Sequence, residues 1–599
     1  MILQRLVEFY DRLALDPEAA ATLPTAGYSL QKLSFCVVLE RDGTLQQFQS
    51  LMDAGVKRPL PQQRTVPGQA KPSGSGINPG FLWDNAAYML GFKADDADPE
   101  RTSRSFSAFR EKHLAAEASV GDSAFSAVCR FLRDWSPDLA TGHADALRGI
   151  TGSFGVFRIA GEQQYVHDRP SVLVYCATAP SAGATAELAG HCLVTGETAS
   201  ISRLHEPKIK GVRDAQTAGA LLVSFNDDAY TSYGKEQSHN APVSVNATFK
   251  YANALNYLLR REDRRVFLGD ATVVFWAERP HPLEGFVSDL FGDGPRPAVL
   301  DRPEDRQRAD SVRLFLSQLR DGVAGTAAVD PESRTRFYVL GLAPNAARIA
   351  VRFWYDTTVA EMTAHLRQHL ADVELVGARD AEGRLSVRRI VRSTGRAEVD
   401  GSRRIKGYDD DSVSPMLAGA FARAVLTGAA YPEALLAALL NRFKADGVVD
   451  HVRVAAIKGC IVRNNRLRGN GLEVSVALDV TRAEPGYATG RLFALLEKIQ
   501  EDSVDGTLNA TIKDRYYSAA SATPAVAFPR LLRLSQHHLA KLNPGLKVTR
   551  EKQLGEIMAK LVAFAPHFGL QDQGLFAIGY FHQRQDLYTS RKDKENAAA

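Results

Sequence analysis

Ser414-Pro415-Met416-Leu417-Ala418-Gly419-Ala420-Phe421-Ala422-Arg423-Ala424-Val425-Leu426 opens the stretch whose pattern decides the fold. From here on the apolar residues recur at helical rather than alternating spacing. Met416–Leu426, Pro432–Phe443, Val449–Val462, Arg491–Gln500, Pro529–Leu542 and Gln553–Phe564 each read as a helix, and strand signals are sparse. Residues 411–599 are therefore predicted to be an all-α helical bundle.

Upstream the pattern is mixed. Ile2–Leu15 has helical spacing through Leu3, Leu6, Val7, Tyr10 and Leu13. Ser34–Leu39 and Leu45–Phe48 are apolar runs joined by Arg41-Asp42-Gly43, a hairpin signal. Ser105–Ala118 and Ser123–Trp135 read as helices, and Phe154–Ile159 and Val172–Cys176 as strands. Residues 1–215 form a mixed α/β region. In residues 216–410, Leu221–Phe225, Val273–Trp276, Arg336–Leu342 and Arg348–Tyr355 read as strands, and Ala247–Leu259, Ala309–Leu319 and Val359–Leu370 as helices. The predicted class is α+β multidomain: mixed α/β N-terminal and middle regions, then the helical bundle. No repeat of fixed period is visible, and the tail from Lys592 to Ala599 is expected to fray.

At 599 residues the chain is long enough for several cores without disulfide or metal staples. No run approaches the ~20 apolar residues of a membrane span. The N-terminus lacks a basic segment followed by an apolar one, so no secretory signal is expected. Cys36, Cys129, Cys176, Cys192 and Cys460 include no C-x-x-C pair. Their odd number and wide spacing fit buried thiols in a reducing cytoplasm. No metal site and no cofactor are expected. His191-Cys192 has no second pair at ligand spacing, and the adjacent His537-His538 point about 100° apart on a helix. Asp409-Asp410-Asp411 reads as a solvated linker. A P-loop, H-E-x-x-H and G-x-S-x-G are all absent, so the sequence shows no catalytic engine.

Charge is unevenly placed. From His451 onward 21 Lys and Arg face 14 Asp and Glu, so the last quarter carries +7 and the rest −3. That is the footprint of a surface facing a polyanion, or else of a solvated basic face. Within it, Arg453, Lys458, Arg463, Arg466 and Arg468 are candidate phosphate contacts, displayed on helical surfaces. No acid occurs between Asp53 and Asp84, while Lys57, Arg58, Arg64 and Lys71 do. This Pro-, Gly- and Ser-rich stretch reads as an exposed loop, and Lys71, Ser73, Ser75 and Asn78 are candidates for entering a groove. The densest polar constellation is Ser232-Tyr233-Gly234-Lys235-Glu236-Gln237-Ser238-His239-Asn240. Its Lys235, Gln237 and Asn240 suit phosphate and base-edge contacts, but side-chain amides also commonly bond a loop to itself. Lys208, Lys210 and Arg213 are candidate phosphate clamps.

Gly211-Val212-Arg213-Asp214-Ala215-Gln216-Thr217-Ala218-Gly219-Ala220-Leu221-Leu222-Val223-Ser224-Phe225-Asn226 runs into Ser232–Gln237, Asn240-Ala241-Pro242-Val243 and Tyr251-Ala252-Asn253-Ala254-Leu255-Asn256. This series closely resembles the large subunit of the type I-C (Dvulg subtype) CRISPR Cascade complex. Met1–Leu6, Phe81–Asn85 and Gly579–Gln585 are similar to the same family, so the resemblance spans the chain. It implies a non-enzymatic, cytoplasmic subunit of an RNA-guided complex. Its partners would be crRNA, target double-stranded DNA, the backbone, crRNA-processing and small subunits, and a nuclease-helicase recruited after R-loop formation. The implied task is to recognise the protospacer-adjacent motif on duplex DNA while base pairing reads the rest. The resemblance also implies a small helical product from an internal start. A start at Met416 would leave 184 residues, and a non-AUG start at Val474 or Val476 would leave 126 or 124. Two other readings stay open at this point: a metal-dependent nuclease with scattered carboxylates, and an RNA- and protein-binding scaffold that does not read DNA.

Overall fold

The computed structural model describes the chain apart from residues 1, 21, 54–59, 69–70, 72–75, 145–146, 148–152, 179–187, 282, 293–333, 347, 378–384, 401–404, 505–510 and 590–599. The helix expected at Ala309–Leu319, the tail, and the candidate residues Ser73 and Ser75 lie outside the described residues. The fold is mixed α/β, with no strand after Tyr408 among the described residues. It divides into two compact units, Met1–Arg260 with Pro344–Ala350, and Arg261–Ala343 with Val351–Ala599.

The first unit is built on β1 (Tyr28–Leu39), the apolar run predicted from Ser34 onward. The Asp-Gly turn leads into β2 (Leu45–Ser50), antiparallel to the second half of β1. The first half of β1 pairs antiparallel with β3 (Leu60–Pro67), which places Lys32 opposite Gln63. On its other edge β1 runs parallel to β4 (Phe154–Ile159). Two-residue strands at Met52–Asp53 and Trp83–Asp84 complete the sheet. Helices α1 (Ile2–Ala14), α2 (Pro99–Val120), α3 (Ser123–Asp134) and α4 (Val245–Arg260) flank it in sequence. Phe9 and Tyr10 of α1 meet Tyr257 and Phe249 of α4 edge to face. The run Val172–Cys176 is helical, within Pro170–Thr178, rather than a strand. Five apolar residues cannot fix a period, and Pro170 supplies the dihedral of a first helical turn. Leu221–Phe225 is not a strand either; Leu221 makes one isolated parallel bridge, to Arg348.

The second unit opens with a four-stranded sheet of β5 (Arg265–Leu268), β6 (Ala271–Ala277), β7 (Arg336–Asn345) and β8 (Arg348–Thr358), ordered 8-7-6-5. Then come α5 (Val359–Val373), α6 (Val387–Arg392) and the small hairpin of β9 (Ala397–Val399) and β10 (Ile405–Tyr408). The helical part comprises α7 (Pro415–Thr427), α8 (Glu433–Asp446), α9 (His451–Leu467), α10 (Pro485–Asp502), α11 (Ile512–Ala522), α12 (Pro524–Leu539), α13 (Pro544–Met558) and α14 (Leu570–Tyr588). These helices share one apolar core with the sheet, from Phe275 and Phe337 through Phe421 and Ile457 to Phe493 and Phe576.

The closest helix pair is α10 with α14. A Cβ on Gly490 would stand 2.1 Å from the Phe576 carbonyl oxygen, and one on Gly579 2.2 Å from that of Tyr487. Only glycine lets the two backbones approach so near. Around the contact, Tyr487 Oη and His582 Nδ1 lie 2.9 Å apart, and Tyr580 Oη donates to Glu497 at 2.6 Å. Replacing Gly490 with Leu is expected to destabilise the unit by about 1–3 kcal/mol or more through overpacking, read as a lower urea midpoint.

Several imidazoles are interior. Burial pushes His113 and His369 down to about 3, and His205 and His582 down to about 4. Each stays neutral in the fold while its unfolded counterpart takes a proton below about pH 6.5. Stability therefore falls as pH drops from 6.5 towards 4, by up to about 1.4 kcal/mol per pH unit for each such group. Urea midpoints at pH 7.0 and 5.5 are expected to differ in that direction.

Candidate nucleic-acid interface

The motif Asn253–Asn256 lies in α4, and Asn256 turns its amide onto the loop at residues 208–210. Its Oδ1 accepts the Lys210 N–H at 2.8 Å and its Nδ2 donates to the Lys208 carbonyl at 3.0 Å. Between them Ile209 is buried and exchanges both backbone bonds with Ala220 at 2.9 Å. The backbone is thus fixed from two sides, and the Lys208 and Lys210 side chains make no ion pair among the described residues. Burial of its stem, then the charges of Lys32 and Lys208, hold the Lys210 ammonium below the usual lysine range. Lys32 comes from β1. Its cross-strand neighbour Gln63 accepts from Arg260, the last residue of α4, at 3.4 Å. Three lysines and an arginine from β1, α4 and one pinned loop therefore form a cationic cluster, and no carboxylate among the described residues pairs with the lysines. The sequence reading found Lys208 and Lys210 but missed Lys32, Gln63 and Arg260, which only pairing across the fold brings near. Arg213 stands beside Asp214, 3.8 Å away.

The polar constellation is a loop pinned by one amide. Asn240 Oδ1 accepts from the Ser232 N–H, and its Nδ2 donates to the carbonyls of Lys235 and Gln237, all at 2.9 Å. Gln237 Oε1 accepts from Arg203 at 2.6 Å. Asn240 is thereby fully occupied, and it positions the loop rather than reading a base. What the loop presents outward is different. Lys235 makes no ion pair among the described residues, and Tyr233 is 97 % exposed. Tyr233 has φ +52° and Gly234 φ +69°. A left-handed tyrosine costs about 1 kcal/mol, so the turn holds this ring outward against a local penalty.

The Lys71 side chain folds back on its own loop. Its Nζ lies 2.5 Å from the buried Asp84 carboxylate, bonds the Asn78 carbonyl, and sits 3.8 Å from the centre of the Tyr88 ring. Burial raises the Asp84 pKa, and the Lys71 charge opposes that rise. Lys71 therefore closes the loop. The exposed Asn78 keeps its backbone N–H on Tyr88 Oη at 3.2 Å, and its side-chain amide bonds nothing among the described residues.

In the second unit most of the basic tract of α9 is buried, where display on a helical surface had been expected. Arg453, Lys458 and Arg463 are 0 %, 3 % and 1 % exposed. Arg453 donates to the carbonyls of Ser393 (2.9 Å) and Gly395 (3.0 Å) and to Asp446 (2.7 Å). Lys458 donates to the Asp372 carbonyl at 3.2 Å. Arg463 binds the Ala429 and Ala424 carbonyls, Tyr431 Oη and Asp372. Arg466 forks onto Asp372 at 2.7 and 2.9 Å. Of the five candidates, Arg468 is the one with a mainly exposed side chain, paired with Glu433 at 2.6 Å. Reaching a phosphate with the first three would mean breaking these buried bonds.

A basic face does exist on α12. No acid occurs between Asp514 and Glu551. Arg530, Arg533 and His537 are exposed at spacings of three and four, followed by exposed Lys541. Such residues are neighbours on one helix face. None of the four has an ion-pair partner among the described residues, while Arg530 lies over the Tyr516 ring at 5.5 Å. The acid-free run and the i, i+3, i+7 spacing were the available signals.

Among the described residues no group of three or more His, Cys, Asp or Glu side chains is placed to hold a metal, and no helix is long and apolar enough to cross a membrane. Asp409 and Asp410 pair with Arg396 and Arg392. Compared with known families, residues 6–588 match the model of the CRISPR-associated protein Cas_Csd1. The chain belongs to the Cas_Csd1 family. A search of curated proteins gives no match. In this Cas_Csd1 chain, then, two groups of cations without ion pairs among the described residues stand out: the Lys32–Lys208–Lys210 cluster with the Tyr233 loop, and the face of α12.

The interior and surface arginines are expected to separate in stability measurements. Arg453→Ala strips Asp446 of its buried guanidinium, leaving it the Ala397 N–H and Arg442, and removes the donor from the Ser393 and Gly395 carbonyls, and should cost about 3–5 kcal/mol. Arg468→Ala should change stability by no more than about 1 kcal/mol. Urea denaturation of the two variants checks this.

Proposed function

We propose that this protein is the large subunit of a type I-C Cascade complex, a non-enzymatic cytoplasmic subunit that reads the protospacer-adjacent motif on duplex DNA and starts R-loop formation. In this reading it binds the crRNA-containing assembly, including the backbone, crRNA-processing and small subunits, and afterwards recruits the nuclease-helicase. The observation that carries the DNA-reading part is the pinned loop of the first unit. A chain of a CRISPR-associated family spends Asn240 and a strained Tyr233 on holding an aromatic ring and Lys235 outward. That combination suits insertion of a ring at a base step with a cation on the adjacent phosphate.

The division of labour follows from the chemistry of each group. Lys32, Lys208, Lys210 and Arg260 supply charge without base specificity, so they fix register on the backbone. Asn78, whose side-chain amide bonds nothing among the described residues, is the group suited to a base edge. The α12 face offers a second backbone track for a strand leaving the duplex. The helical array from α10 to α14 is the part suited to a separately translated small product beginning near Val474 or Val476.

The test is salt-controlled binding of matched DNA targets to the reconstituted guide-RNA complex, with and without this subunit, across flanking motifs that include TTC. Binding should require both subunit and motif. Tyr233→Ala and Asn78→Ala should weaken it for the correct motif, by about ten- to a hundredfold each. Motif-independent, salt-sensitive binding would make the subunit a basic clamp, and Mg²⁺-dependent cleavage by the subunit alone would make it a nuclease. Lys208→Glu with Lys210→Glu should instead weaken all targets equally and lower the salt slope by about one unit per lost phosphate contact.

A further inference from the structure

A cleft of about 820 Å³ opens in the second unit between α6, β10, the start of α9 and α14. Its size falls within the range of small-ligand sites. Nothing assigned above uses it. Two kinds of group line it. Arg389 and Arg392 of α6 and Lys406 of β10 supply cations, and Tyr408, His451 and Phe581 supply rings.

The cations are not cancelled by the cleft's own acid. Asp450 is the carboxylate in the lining, and it is engaged elsewhere: Arg453 Nε lies 3.5 Å away and Tyr408 Oη donates at 3.3 Å. Arg392 gives its Nε to Asp410 at 2.5 Å and one terminal nitrogen to the Tyr408 carbonyl, and the other makes no bond among the described residues. Lys406 is exposed and has no ion pair among the described residues. The rings are held in place. The Arg453 guanidinium lies over the Tyr408 ring at 5.4 Å. His451 Nε2 stands 3.2 Å from the Leu375 carbonyl, and its ring meets Phe581 edge to face at 6.0 Å. The cleft thus offers fixed aromatic and apolar walls beside a rim where Lys406 and a terminal nitrogen of Arg392 stand.

We propose that this cleft binds a nucleotide, with the base against the Tyr408 side and the phosphate on Lys406 and Arg392. An inorganic anion would use only the rim, and an apolar molecule would leave the cations unused. A phosphate joined to a planar base uses both. The nucleotide has two sources, a free mononucleotide or one unit of a single strand. The inference does not depend on how the first unit reads DNA.

The test uses the full chain. AMP, CMP, inorganic phosphate and a fluorescein-labelled oligothymidylate are titrated separately, with binding followed by calorimetry or anisotropy. A mononucleotide or the oligonucleotide should bind at least about tenfold more tightly than inorganic phosphate. Binding by mononucleotides marks a free ligand; binding by the oligonucleotide alone marks a strand. Lys406→Glu should weaken binding about tenfold. Gly407→Trp should abolish it by filling the cleft, since a Cβ there meets only Glu398, at 3.4 Å. If Gly407→Trp fails to fold, photo-crosslinking of 8-azido-AMP to the wild-type chain replaces it, with label expected on peptides containing Lys406 or Tyr408. Equal binding of phosphate and nucleotides, affinity unchanged in both variants, or label confined to other peptides would overturn the proposal.

Discussion

Interior positive charge is the constraint around which the second unit is arranged. Helix α9 places Arg453, Lys458 and Arg463 out of water, and an unpaired charge there costs several kcal/mol. Each cation therefore dictates what stands next to it. Arg453 requires the end of α8, through Asp446, and the turn after α6, through the Ser393 and Gly395 carbonyls. Arg463 requires the loop between α7 and α8, through Ala429 and Tyr431, and the end of α5, through Asp372. Four elements, among them the distant end of α5 and turn after α6, are thus registered against one helix by directional bonds, while apolar contacts such as those of Ile457 and Ile461 supply the bulk of the burial.

The same fact separates charge that is structural from charge that is available. Net charge over a segment does not distinguish them; spacing does. Arg453, Lys458 and Arg463 recur every five residues, about 140° apart around a helix, so no single face can hold all three. The intervening residues, from Val454 to Cys460, are almost wholly apolar, which marks a helix buried all round. On α12 the cations recur at three and four, which puts them on one side, and the segment has no acids to neutralise them. Reading the last quarter of the chain as a uniform +7 merged these two cases.

What was legible in the sequence follows the same division between local and non-local causes. The Arg41-Asp42-Gly43 hairpin, three of the four strands of the second sheet (Arg265–Leu268 was missed) and most long helices were readable because their period and turn chemistry are local. Helix α14 was not recognised as a helix, although it is central to the second unit. Its sequence Gly574-Leu575-Phe576-Ala577-Ile578-Gly579-Tyr580 is buried on every side and shows no amphipathic period, and its glycines record a close backbone contact rather than a break. At the candidate interface, Lys208, Lys210, Lys235 and Asn78 were found from composition. Lys32, Gln63 and Arg260 are joined to them only by strand register and by the end of α4, and a sequence alone does not display that adjacency.

The two asparagines show why polar residues in a suspected site need sorting by what their atoms already do. Asn240 and Asn256 have the chemistry to read a base, and each instead spends both ends of its amide on backbone groups of a loop. A loop so pinned keeps its neighbours' side chains out of internal bonds. Lys208 and Lys210 stay outward because Asn256 and the Ile209–Ala220 bridge have satisfied the backbone beneath them. Tyr233 stays outward because Asn240 closes the turn below it. Had these asparagines been free, their loops would lack a fixed shape, and ordering them would have to be drawn from binding free energy. The groups available to a partner here are thus identified by subtraction: they are the side chains left over once the fold has bonded its own polar atoms.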